Sequence, residues 1–409
     1  MTPARWLAGL LSWLMLVIAS SAAHAQALPD SVTPDASAPR IGVVTMTPGA
    51  EYWARFGHDA IVVSDPLSGQ QLSYNYGYFD FDQPGFFTRF LRGKMLYRLV
   101  VMPLEQDLAT YADEGRGAEL QWLNLSPRQA RRVAQFLNWN ALPENADYHY
   151  DYFTANCSTK VRDVLDLGLD GELKRQLSGR SHGLTYRSEA LRLGAGVAPM
   201  YLGMHAALGP FADKPLSLWD EAFVPQRLAD ALAEVNTVDG KPLVEGPVTL
   251  LPDRLGLERD HSPRWRWGFV ALGVLLAALL AILLRRKAGC AARACGVILV
   301  GTLWLVCGLG GVLLLGLWLF SAHVAAWGNE NALLFNPLCL LLMTALPALA
   351  RGATVAPIMR RLSVVILLCA VFALFLRFLP FRIQDNGDFI ALLAPMHLVV
   401  WLRLIRRTN

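Results

Sequence analysis

Disulfide frameworks, metal motifs and phosphate loops are all missing from this sequence, and each absence narrows what the chain can do. Of six cysteines, only Cys157 precedes residue 266; Cys290, Cys295, Cys307, Cys339 and Cys369 follow it. A single thiol cannot staple the N-terminal part to itself, so a disulfide-framed domain is excluded there. There is no His-Glu-x-x-His, no Cys-x-x-Cys and no Gly-rich phosphate loop, which removes the common zinc and nucleotide-binding chemistries. Scattered carboxylates such as Asp147, Asp151 and Asp163 read as caps and surface partners; neither a metal site nor a cofactor is expected. Charge is sparse too, at 17% of residues against 54% hydrophobic, with a net +4. Many basic residues flank apolar runs and none form a patch interleaved with aromatics, so nucleic acid is not an expected partner.

What is present divides sharply near residue 266, where mixed globular composition gives way to long apolar runs. Arg5, the apolar stretch Leu10–Ile18 and Ala23-His24-Ala25 read as a secretory signal peptide over residues 1–25, with an uncleaved anchor as the alternative. Residues 26–44, which include the Pro-, Ser- and Ala-rich stretch Ala27–Pro39, read as a linker. An exported domain is expected over 45–265 and a transmembrane domain over 266–409.

Five spans are expected, near 267–284, 295–320, 333–350, 362–378 and 389–405. A crossing helix needs about 17–25 mainly apolar residues, which these runs supply. Arg285, Arg286, Lys287 and Arg293 follow the first span, Arg351, Arg360 and Arg361 the third, and Arg406 and Arg407 the fifth. Arg264, Arg266 and Arg382 on the opposite side are fewer. The positive-inside rule therefore puts the N-terminal domain outside, in agreement with the signal segment. The outer loop around Ser321–Ala332 carries His323, Trp327, Asn329, Glu330 and Asn331; it reads as a solvated loop with an interfacial Trp, a headgroup role being the alternative.

The exported domain reads as mixed α+β. A hairpin is expected from Ala60–Val63 and Gln71–Tyr76 across Asp65-Pro66-Leu67-Ser68-Gly69, with a further strand at Leu96–Met102. Ser126-Pro127 opens a helix with Ala130, Val133 and Leu137 on one face. The lone thiol follows Tyr152-Phe153-Thr154-Ala155-Asn156, and Val161, Val164, Leu165 and Gly168 recur at helical spacing after it. Thr154 or Asn156 can cap that helix, which puts Cys157 in its first turn, where free N–H groups and the helix dipole favour a thiolate nucleophile. An inert buried thiol is the plainer alternative. The general base would be a histidine. His58 opens a β-branched run after Phe56-Gly57, and His149 lies eight residues before Cys157. Spacing does not choose between them.

These residues resemble the Lnb family of bacterial lipoprotein N-acyltransferases. The likeness rests on Phe56-Gly57-His58, Tyr74-Asn75-Tyr76-Gly77, Phe90-Leu91-Arg92-Gly93, Tyr148-His149-Tyr150-Asp151-Tyr152-Phe153 and Asn156-Cys157-Ser158-Thr159 with Arg162-Asp163. Thr185-Tyr186-Arg187 and Phe223-Val224-Pro225 continue it, so most of residues 45–230 are covered; Trp327-Gly328-Asn329 and Asn336-Pro337 extend it into the membrane half. The resemblance implies a circularly permuted papain-like, NlpC-like exported domain followed by the all-α five-span domain. It implies that the His precedes the Cys, which selects His58 over His149. It also implies residence in the bacterial inner membrane with the catalytic domain in the periplasm, a phospholipid acyl donor and a diacylglyceryl lipoprotein acceptor. The third polar residue would follow the His on the next strand, where Asn75 is the choice, and Asn156 is a second supporting residue.

The expected activity is thus acyl transfer through a Cys157 thioester with His58 as base. Two other readings stand beside it: a periplasmic thiol peptidase or amidase acting on cell wall or protein, and a non-catalytic membrane-attached binding or sensor module.

Overall fold

The computed structural model describes residues 37–263 and 265–405. The expected signal segment 1–25, most of the expected linker, and Arg264, Arg406 and Arg407 lie outside the described residues.

In chain order the first half contains β1 (Arg40–Met46), β2 (His58–Ser64), β3 (Gln71–Tyr78), α1 (Phe86–Leu91), β4 (Leu96–Pro103), α2 (Leu104–Asp113), β5 (Ala118–Leu123), α3 (Pro127–Asn140), β6 (Asp147–His149) and α4 (Cys157–Gly168). Then come α5 (Glu172–Leu177), α6 (Tyr186–Gly194), α7 (Ala198–Ala207), α8 (Leu218–Glu221), α9 (Pro225–Ala233) and β7 (Val244–Leu251). The strands form one seven-stranded sheet in the order β6-β4-β3-β2-β1-β5-β7, and every pairing is antiparallel.

Strand alternation sorts the two faces of the sheet. Ile41, Val43 and Ile61 pack with Val133 and Leu137 of α3, Val161, Val164 and Leu165 of α4, and Leu228 and Leu232 of α9. Their neighbours Val44, Met46, Ala60 and Val62 turn the other way, against Leu104, Leu108 and Tyr111 of α2. The sheet is therefore sandwiched, and helices from both sides reach the end of β2 where His58 sits.

Two local expectations have clear physical origins. Helix α3 starts where Ser126 accepts from Gln129 N in a capping box with Pro127 at the first helical position, and its Ala130, Val133 and Leu137 are buried. The hairpin pairs Ala60 with Asn75 and Val63 with Leu72. One expectation needs correction. The linker does not extend to residue 44, because β1 begins at Arg40 and buries Ile41, Val43 and Val44 between β2 and β5. Its alternating apolar residues follow directly on the Pro/Ser-rich stretch, which concealed the boundary.

The second half holds α10 (Arg266–Leu283), α11 (Cys290–Phe320), a broken third crossing over Glu330–Arg351 that contains α12 (Leu338–Leu342) and α13 (Leu346–Arg351), then α14 (Pro357–Leu376) and α15 (Gly387–Ile405). All five are long and apolar enough to cross a membrane. Pro337 precedes α12 and Pro347 lies in the first turn of α13, which accounts for the interruptions in the third.

Part of the loop expected to be solvated is buried instead, while Trp327 stays exposed. Asn331 is fully buried, and Asn329 and Glu330 nearly so. The Asn329 amide donates to Ala206 O at 2.8 Å and Ala207 O at 2.9 Å, and the Asn331 amide to Ala206 O at 2.9 Å. Gln384, from the next outer loop, donates to Asn329 Oδ1 at 2.8 Å and accepts from Glu330 N at 2.8 Å. The last carbonyls of α7 have no partner within their own helix, and these amides supply one. Polar residues that look like solvated surface are the joint between the two halves.

Candidate active site

Cys157 opens α4, and its surroundings begin with the cap. Asn156 Oδ1 accepts from Thr159 N at 2.9 Å while Thr159 Oγ1 accepts from Asn156 N at 2.8 Å. The Asn156 amide also donates to Tyr152 O at 3.0 Å and Phe223 O at 2.8 Å. Every polar atom of this side chain is committed to holding the helix start. Thr154, the other residue able to cap, donates to Asp151 instead.

At the thiol, three backbone N–H groups, those of Asp59, Ser158 and Cys157, favour the thiolate. They are outweighed. Burial, reinforced by the Asp59 carboxylate, pushes the thiol up to about 12. Burial of the sulfur thus opposes the thiolate that a capped helix start favours, although the residue as a whole is only partly buried.

His58, the first residue of β2, is held by an ordered chain of hydrogen bonds. Its Nε2 lies 2.9 Å from Asn75 Oδ1 on β3. Asn75 Nδ2 donates to Asp107 Oδ2 at 2.9 Å and to Ser73 Oγ at 3.0 Å, and Ser73 Oγ donates to the same Asp107 oxygen at 2.6 Å. A carboxylate can only accept, so the Asn75 amide nitrogen must face Asp107 and its oxygen must face the imidazole. His58 therefore carries its proton on Nε2, which leaves Nδ1 as the basic nitrogen. Burial lowers the pKa of this imidazole, with the Asn75 bond and Asp107 partly opposing. Tyr111 of α2 stacks on it at 6.3 Å between ring centres.

The thiol and the imidazole are both placed toward the same end of β3. Asn75 anchors His58; two residues along β3, Gly77 underlies Cys157. Gly77 has φ +102 at a bulge in the β3–β4 pairing, and a Cβ built there would stand 3.7 Å from Cys157 Cβ and 3.9 Å from the Tyr148 hydroxyl. Two residues of strand span about 6–7 Å. Among the described residues no hydrogen bond joins the thiol to the imidazole, while the Asp59 N–H that favours the thiolate belongs to the residue directly after His58.

Two further groups stand beside the thiol. The Tyr148 hydroxyl is buried and has no hydrogen-bond partner among the described residues. Asp59 is fully buried, accepts from Thr45 Oγ1 at 2.7 Å, and is raised by burial to about 7, with the Ser158 and Thr45 hydroxyls partly opposing. His149, the competing histidine, is exposed on edge strand β6, on the opposite side of the alternation from Tyr148 and Tyr150. Gly179-Arg180-Ser181-His182-Gly183 matches the spacing of a serine nucleophile elbow, but it lies outside any strand-to-helix turn and Ser181 Oγ donates to Leu216 O. Among the described residues no cluster of three or more His, Cys, Asp or Glu could hold a metal. A groove of about 670 Å³ lies elsewhere, between α10, α14 and α15.

A sheet domain with a half-buried cysteine beside a His–Asn–Asp chain, hydrogen-bonded onto five apolar crossings, defines a membrane-embedded protein with a thiol-centred candidate site. Two family models match it: the Lnb N-terminal periplasmic domain over residues 31–188 and the Lnb transmembrane domain over residues 267–408. The chain belongs to the Lnb family, whose membership makes it an inner-membrane, lipoprotein-modifying enzyme with its N-terminal domain in the periplasm. No match to the chain is found among curated proteins or among solved structures.

Proposed function

We propose that this protein moves an acyl chain from a phospholipid to the N-terminal cysteine amine of a diacylglyceryl lipoprotein, by way of a thioester on Cys157. The observation that carries the reading is the arrangement at the end of β3, where Asn75 orients His58 at 2.9 Å and Gly77 leaves room beside Cys157. The His-bearing strand precedes the Cys-bearing helix, the order of the permuted papain-like proteins that the sequence resembles.

Both partners start neutral, since burial raises the thiol and lowers the imidazole. The proton therefore leaves sulfur as sulfur attacks, and His58 Nδ1 takes it. The S–C bond forms at the ester carbonyl, and the oxyanion is met by the N–H groups of Asp59, Ser158 and Cys157 and by the unpartnered Tyr148 hydroxyl. Asn75 does not serve as an oxyanion donor, because both of its donor bonds go to Asp107 and Ser73. Collapse breaks the ester C–O bond; the lysophospholipid oxygen leaves with the proton from His58. The lipoprotein amine then attacks the thioester, gives its proton to His58 and forms the amide, and the Cys157 sulfur recovers a proton. Anchoring the site on membrane crossings keeps it among two substrates that are themselves confined to the bilayer.

The test is intact mass spectrometry of the full-length protein after incubation with phospholipid vesicles. The expected result is a hydroxylamine-labile acyl adduct, absent from Cys157→Ala and from His58→Ala. No adduct on a thiol that still reacts with iodoacetamide would overturn the proposal in favour of a thiol hydrolase. A thiol unreactive to both would leave a binding module.

A further inference from the structure

One apolar patch of the periplasmic domain is left largely open to solvent. Helix α1 exposes Phe87 at 68% and Leu91 at 67%, with Phe90 also open, and Arg92 and Lys94 beside it are exposed. A contiguous aromatic surface of this kind on a folded domain marks an interaction site. Its position says what it meets. Arg92 O accepts from Ala322 N at 2.8 Å, and the His323 ring nitrogen bonds Phe90 O at 2.8 Å. Gly93, at φ +66, is pressed so closely on this loop that a Cβ would stand 2.8 Å from His323 N. Ala322 and His323 directly follow α11, whose last residues Trp318, Leu319 and Phe320 are all exposed. The apolar face of α1 is thus continuous with the outer end of a membrane crossing, and its basic neighbours match anionic headgroups.

We propose that α1 dips into the periplasmic leaflet of the membrane, with Phe87 and Leu91 among the acyl chains and Arg92 and Lys94 at the phosphate level, and that the rings behind it lead an acyl ester to Cys157. The second half of this statement rests on the acyl-transfer reading; the first does not. The rings form a continuous path. Phe87 meets Phe86 at 5.5 Å, Phe86 stacks on Phe79 at 6.2 Å, Phe79 on Tyr97 at 5.1 Å, and Tyr97 on Tyr150 at 4.2 Å. Tyr150 lies two residues from Tyr148, whose hydroxyl shares with Cys157 the space over Gly77, 3.9 Å and 3.7 Å from a Cβ built there. Aromatic rings stacked from a leaflet to a nucleophile give an acyl chain apolar contact throughout its passage out of the bilayer.

The test uses the full-length protein in vesicles of equal parts phosphatidylethanolamine and phosphatidylglycerol. Benzoylphenylalanine in place of Phe87 should cross-link to intact phospholipid on irradiation. The same probe at Leu67, exposed in the turn before β3, a strand about 25 Å long whose other end leads to α1, should not. Cross-linking at both positions or at neither overturns the insertion. A second variant, Phe87→Asp with Leu91→Asp, should lower acyl-adduct formation from these vesicles at least tenfold while iodoacetamide labels Cys157 at the wild-type rate, which also shows that the fold is intact. Undiminished adduct formation overturns the acyl path. Cross-linking by the position-87 probe, together with a wild-type protein that never forms an adduct, supports the insertion and defeats the acyl-transfer reading instead.

Discussion

The Nε2 atom of His58 lies 2.9 Å from Oδ1 of Asn75, and the same amide donates to Asp107 at 2.9 Å on its other side. One carboxylate thereby decides, through one amide, which imidazole nitrogen is basic. Asp107 and Asn75 are 32 residues apart, and Asn75 is 17 from His58.

If Asn75 holds the ring, Asn75→Ala should slow acyl-adduct formation by on the order of 10²-fold, the usual consequence of misplacing a catalytic group by ~1 Å. Iodoacetamide should still label Cys157. Rates are read by intact mass against time, and a wild-type acylation rate in this variant would remove Asn75 from the mechanism.

A thiol pushed up to about 12 by burial should alkylate slowly at neutral pH, with a rate still climbing at pH 10. A plateau near pH 7 would reveal a thiolate and contradict the neutral pair. Acylation has a different limb. His58 is lowered by burial, so it stays unprotonated to below the ordinary imidazole range, and acyl-adduct formation should hold from pH 8 through 6.5 and fall only at lower pH.

Asp59 carries a stability cost whose sign follows from its raised pKa. Below pH 3.8 the carboxyl is protonated in both states and the cost is absent; it grows between pH 3.8 and about 7 and is complete above that. A carboxyl held at about 7 rather than 3.8 costs the folded state about 4 kcal/mol once ionised. Asp59→Asn should therefore stabilise the protein by a few kcal/mol at pH 8 and by almost nothing at pH 4, measured by thermal unfolding in detergent. Removing this negative neighbour should also speed alkylation of Cys157 at pH 8. Equal gains at the two pH values would rule out the titration.

The joint between the halves should be sensitive to its amides. Asn329→Ala removes the donor from Ala206 O and Ala207 O, and Asn331→Ala removes another from Ala206 O. Each should cost roughly 1–3 kcal/mol, the penalty for leaving buried carbonyls unpaired. Unfolding temperature and protease sensitivity near Ala207 report it; unchanged values would mean that water replaces the amides.

Much of this architecture was legible beforehand. The hairpin, the buried face of α3 and the five crossings all followed from patterns within a few residues of one another. The site was legible in part. Cys157 stood out by its isolation and by the capping signal before it, whereas His58 and His149 looked equivalent on spacing, and only the resemblance preferred one. Asp107 carried no signal, because an acidic residue on an amphipathic helix is ordinary, and Tyr148 stood in a family block that gave its hydroxyl no role. The Asn329–Asn331 cluster misled, since polar residues between two spans read as solvated unless the partner surface is known.

The sequence by itself determined what is local: five apolar runs long enough to cross a bilayer, a lone cysteine at a capped helix start, and strands whose alternation is written into β-branched residues. Hydropathy, capping and periodicity are sums over neighbours along the chain. Tertiary structure alone decided which histidine reaches the strand end beside Gly77, how burial opposes the thiolate, and that Asn329, 122 residues from Ala207, closes the end of α7. Burial and hydrogen-bond partnership belong to groups brought together by packing, and no local pattern encodes which distant surface will take the water away.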